Sequence, residues 1–86
     1  METISSALRL IYDLICKGDI DNALWEVSEL EQDLIKNAPG LTEKYHLKTY
    51  FVKWRNRLMR THNHNFSLVL EEIELLANKF ENIVIY

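Results

Sequence analysis

The stretch "LICKGDIDNAL", Leu14–Leu24, decides how this chain folds, because one helical rhythm ends in it and another begins. Gly18 is the residue type that most readily enters the left-handed conformation closing a helix C-terminus. Asp19 is suited to cap the next helix, since its short side chain can accept a hydrogen bond from a first-turn N–H. A connection this short folds the two helices back on each other as a hairpin. Upstream, Ile4, Ala7, Leu8, Ile11, Leu14 and Ile15 recur at three- and four-residue spacings, which predicts a helix over 3–17 with Thr3 as its N-cap. Downstream, Ile20, Ala23, Val27, Leu30 and Leu34 form a second seam and predict a helix over 20–36.

The rest of the chain continues in the same way. "KNAPGLT", Lys36–Thr42, is the clearest break: Pro39 and Gly40 imply a turn, and Thr42 the cap of a third helix over 43–61. That helix has Leu47, Tyr50, Phe51, Trp54 and Leu58 on its core face, and "THNHN" at 61–65 ends it with residues that favour turns. A fourth helix over 66–82 carries Phe66, Val69, Leu70, Ile73, Leu76, Ala77 and Phe80 on one face. The β-branched "NIVIY" at 82–86 suits a last helical turn or a short extended tail. Four amphipathic helices on short connections predict one all-α domain over 1–86, a small four-helix bundle or two stacked hairpins. Over about 7–34 the first hairpin resembles a tetratricopeptide unit. Gly18 and Asp19 match that family's turn, Ile20 its aromatic or aliphatic position and Ala23 its small residue, while Ile11 stands where the family has glycine. The resemblance implies a close approach of the two helices at Ala23.

Composition narrows the function classes. With 48% hydrophobic and 27% charged residues but only two Gly and one Pro, the chain reads as a globular domain without long irregular loops. Its one cysteine, Cys16, cannot form an intrachain disulfide and has no sequence neighbour that would make it a nucleophile. Glu2 replaces a cationic start, Asp13 interrupts the first apolar stretch, and no apolar run reaches the length of a membrane span. The expected location is therefore the cytoplasm. No Gly-rich phosphate loop or carboxylate constellation appears, so a non-enzymatic protein without a cofactor is expected.

Charge is segregated along the chain. Residues 1–39 hold three basic and eight acidic side chains, residues 40–64 six basic and one acidic, and residues 65–86 one basic and four acidic. An antiparallel bundle that sets the basic third helix between acidic neighbours explains this through side-chain attraction. The alternative is a basic surface for nucleic acid, made by Lys48, Lys53, Arg55, Arg57 and Arg60. The sequence pI near 5.5 favours the first.

Within "RNRLMRTH", residues 55–62, Arg57 and His62 stand at R-x4-H spacing. This resembles the motif of the HEPN ribonucleases, a family of all-helical bundles. The resemblance implies that Arg57 and His62, brought together between dimer-related helices, hold a phosphate and move a proton from the ribose hydroxyl. Histidine and arginine suit those roles, one titrating near neutrality and the other remaining charged. A basic helix running into a polar turn produces the same spacing without that chemistry. His62 and His64 could both face one metal ion, but a third ligand is missing from their surroundings, so no metal site is expected.

Apolar residues on the polar faces are the remaining signal. Trp25 points about 160° from the second helix's seam, among Asp21, Glu29, Gln32 and Lys36. Tyr45, Val52 and Met59 recur every seven residues on the third helix, as do Leu68 and Leu75 on the fourth. Aligned exposed apolar residues imply a second contact surface. These six residues are the candidate partner-binding set, for a homodimer or for a protein partner of an adaptor, chaperone, inhibitor or regulatory subunit.

Overall fold

Thr3 and Ser6 cap the first helix, α1 (Ile4–Cys16), reciprocally: Ser6 N–H donates to Thr3 Oγ1 at 3.0 Å and Thr3 N–H to Ser6 Oγ at 3.2 Å. Serine here takes the place usually held by Glu or Gln in such a box. The computed structural model describes residues 3–60 and 66–81. At the other end of α1, Gly18 has φ +80, and the N–H groups of Gly18 and Asp19 return to the carbonyls of Ile15 and Leu14 at 3.0 and 2.9 Å.

A side chain at Gly18 would have open space, with no heavy atom within 4 Å of its Cβ. The cost of substitution there is therefore backbone strain alone. Gly18→Val should lower stability by at least ~1 kcal/mol, because β-branched residues resist positive φ. A urea midpoint that does not move would disprove the strain argument.

The second helix, α2 (Ile20–Asn37), starts after Asp19 but without the expected side-chain cap. Asp19 has φ −87 and ψ 70, away from the extended conformation from which a cap reaches back to the helix, and its carboxylate accepts from Asn22 Nδ2 at 2.7 Å instead.

The segment expected as a Pro-Gly turn is itself helical: α3 (Pro39–Lys44) begins with proline, whose missing N–H is not needed at a first helical position. Thr42 consequently lies inside α3, buried, with its hydroxyl donating to Ala38 O at 3.0 Å, and caps nothing. The single helix expected over 43–61 is thus broken. Its main part is α4 (Leu47–Arg60), and between α3 and α4 His46 takes φ 53, a left-handed conformation through which a right-handed helix does not continue. The break lets Tyr45 turn inward, edge-to-face on Phe80 with ring centroids 5.1 Å apart and with Lys79 Nζ 4.6 Å from its ring centre. The fourth predicted helix is α5 (Ser67–Lys79), with buried phenylalanines, Phe66 and Phe80, bounding it at either end. The "THNHN" turn and the 82–86 tail lie outside the described residues.

The domain is all-α as its patterning requires. α1 packs against α2 and α5, and α2 also meets α3 and α4. Ile11, Ala23, Val27, Leu34, Trp54, Ile73 and Ala77 are fully buried in the shared core. Ala23, with no side chain beyond Cβ, sits where α2 has its buried face. A tight turn and a buried alanine belong to any closely packed helical hairpin, so they leave the tetratricopeptide resemblance where the sequence put it. Among the described residues no helix is long and apolar enough to cross a membrane.

Candidate functional site

The basic helix α4 is tied to acidic residues on both sides. Lys53 Nζ donates to Glu72 Oε2 at 2.7 Å and Trp54 Nε1 to Glu72 Oε1 at 3.3 Å, joining α4 to α5. Arg55 Nη1 donates to Glu31 Oε1 at 2.7 Å, joining α4 to α2. The Glu31 and Glu72 side chains are 13% and 18% exposed, so both carboxylates are largely desolvated and depend on these partners. Glu31 Oε2 is buried and makes no hydrogen bond among the described residues. Arg55→Leu should therefore cost about 1–2 kcal/mol by leaving the Glu31 carboxylate without its cation, and the double variant with Glu31→Leu should recover most of it. A double-mutant cycle in urea checks this; equal losses in the single and double variants would mean the pair itself matters little.

The alternative chemistries occupy the same helix. Of the five cations expected for nucleic acid, Lys53 and Arg55 are engaged by Glu72 and Glu31, while Lys48, Arg57 and Arg60 are exposed. His62 and His64 lie outside the described residues, and with them the geometry of the Arg57–His62 pair. Among the described residues no group of three or more His, Cys, Asp or Glu could hold a metal ion. Cys16 is exposed at the end of α1.

Of the six outward apolar residues expected, five are exposed: Trp25, Val52, Met59, Leu68 and Leu75. Tyr45 is the correction. It closes α3, outside the α4 periodicity, and packs half-buried on Phe80, so it belongs to the fold and not to an outer stripe. Two further exposed residues, Leu10 and Ile35, fall outside the expected set. Ile35 carries a signal: it follows seam residue Leu34 directly, as Val52 follows Phe51 and Met59 follows Leu58.

The ion pairs reveal which way these residues face. Arg55 marks the α2 side of α4; at about 100° per residue, Val52 and Met59 lie roughly 40–60° beyond it, further from the core on that same side. Ile35 stands in the corresponding position on α2, one helical turn from Glu31, and lines a shallow depression with Lys48 and Thr49 of α4. Trp25 projects from α2 about 120° from Glu31, straight away from the core and beyond Ser28 and Gln32, and is 59% exposed. Leu68 and Leu75 are elsewhere. Glu72 marks the α4 side of α5, and both leucines lie roughly 40–60° beyond it, so α4 stands between them and the Trp25 face. The outward apolar residues thus fall on two separate surfaces.

The α2/α4 face carries Ile35, Val52 and Met59 and, at its α2 margin, Trp25, together with Ser28, Gln32 and Asn56; Glu31 and Arg55 neutralise each other there, while Asp21, Glu29 and Lys36 flank Trp25 and Lys48 borders Ile35. The α5 face is apolar and acidic. No protein-family model, curated protein or solved structure matches this chain.

Proposed function

We propose that this protein is a non-enzymatic helical interaction module, an adaptor, chaperone, inhibitor or regulatory subunit, that binds a protein partner or a second copy of itself through the α2/α4 face. The observation that carries this is Trp25, 59% exposed on a helix whose core seam is complete without it. Exposing a large indole forgoes the stabilisation that burial would bring, about 25 cal/mol per Å² of apolar surface. A binding partner restores that burial. Met59 and the mutually neutralised Glu31–Arg55 pair support the same reading, since interface centres are rich in Trp and Met and poor in unpaired charge. An exposed lone thiol, Cys16, suits the reducing conditions of the cytoplasm.

The test is the mass of the complex recovered from the native cells, together with sedimentation of the purified protein over a range of concentrations. Association should be present for the wild type and lost in Trp25→Ala. A protein monomeric in both settings, or a complex indifferent to Trp25→Ala, would overturn the proposal.

A further inference from the structure

Leu68 and Leu75 stand two helical turns apart on the outer face of α5, beside Glu71, Glu72, Glu74 and Asn78. The leucines are 45% and 65% exposed, the latter the most exposed large apolar side chain among the described residues. None of these residues is cationic. Lys53 balances Glu72. Lys79, on the same helix, is held over the Tyr45 ring, and Arg9 reaches across from α1 to Asn78 Oδ1 at 3.1 Å. Among the described residues neither Glu71 nor Glu74 has an ion-pair partner. This face of α5 therefore sets an apolar stripe beside Glu71 and Glu74, the latter sharing a neighbouring depression with Arg9 of α1, and its net charge is negative.

That combination selects its occupant. A second copy meeting this face symmetrically would set Glu71 and Glu74 against their own counterparts, and like charges brought together at an interface are unfavourable. Nucleic acid would be repelled for the same reason. A helix with aliphatic residues at i and i+7 and Lys or Arg beside them matches both features at once. We propose that the outer face of α5 docks a cationic amphipathic helix of another protein, with its aliphatic side chains against Leu68 and Leu75 and its cations against Glu71 and Glu74. This deepens the interaction-module reading but uses a face separate from Trp25, so the two can fail independently.

The probe is a fluorescent peptide about two heptads long, built of leucine and lysine at amphipathic helical spacing and compared with the same composition scrambled. With the full chain, the patterned peptide should show saturable one-to-one binding that weakens with salt, and the scrambled one should bind at least ~10-fold less tightly. Leu75→Asp should weaken binding ~10-fold or more, and Glu71→Gln and Glu74→Gln each by about two- to fivefold with a shallower salt dependence. Asp13→Asn, a charge change of the same size on exposed α1, and Trp25→Ala should leave the affinity unchanged. Leu75→Ser, with helicity checked by circular dichroism, separates loss of the apolar stripe from the added charge. Equal binding of both peptides, or indifference to the Leu75 and Glu71 substitutions, would overturn the proposal. So would self-association of the protein alone that Leu75→Asp abolishes. Peptide binding lost only in Trp25→Ala would overturn this assignment while leaving the α2/α4 face as the binding surface.

Discussion

Trp54→Ala should lower the stability of this protein by about 3–5 kcal/mol. Trp54 is fully buried, its ring 5.5 Å from Phe51 and 6.0 Å from Tyr50 between centroids, and its indole N–H donates to Glu72 Oε1. Truncation removes the largest side chain in the core, leaves a cavity between α4 and its neighbours, and takes one of two hydrogen bonds from a mostly buried carboxylate. A chain of 86 residues has on the order of 4–13 kcal/mol in total, so the variant should be largely unfolded at moderate temperature if the protein lies at the low end. Trp54→Phe keeps most of the packing and loses the donor, and should fall between the two. Urea midpoints read the series; a loss below ~1 kcal/mol for Trp54→Ala would mean the α4 face is turned away from the core.

The other tryptophan should behave in the opposite way. Trp25→Ala is expected to weaken association by roughly 2 kcal/mol, about thirtyfold, while leaving the unfolding midpoint within about 0.5 kcal/mol of wild type. Its side chain contributes little to the monomer because most of it already faces water. At an interface, the same area becomes buried, and aromatic anchors carry a disproportionate share of binding energy. The measurement pairs thermal unfolding with sedimentation or partner capture on the same samples. A Trp25→Ala variant that unfolds early yet associates normally would place Trp25 in the core and remove the α2/α4 face as a binding surface.

Local information accounts for a definite part of this outcome. The Gly18 turn, the Thr3 cap and the seams of α1, α2, α4 and α5 come from residue type and from a spacing that repeats every few residues, and both act within one or two helical turns. Five of the six outward apolar residues were legible for the same reason, since a side chain far from the seam on a regular helix has nowhere to go but the polar face. The Tyr45–His46 break was not legible. Apolar spacing runs through it without interruption, and the conformation at His46 comes with Tyr45 packing on Phe80, thirty-five residues away along the chain. Nor does helical phase say on which side of a helix its neighbour will lie. The pairs Arg55–Glu31 and Lys53–Glu72 bridge residues 24 and 19 positions apart, and they set α2 on one flank of α4 and α5 on the other. That placement splits the outer apolar residues into a face of mixed charge around Trp25 and an acidic face of α5 around Leu75. Periodicity reports only the angle of a residue about its own axis; which faces of different helices become one surface is decided by packing between segments distant in sequence.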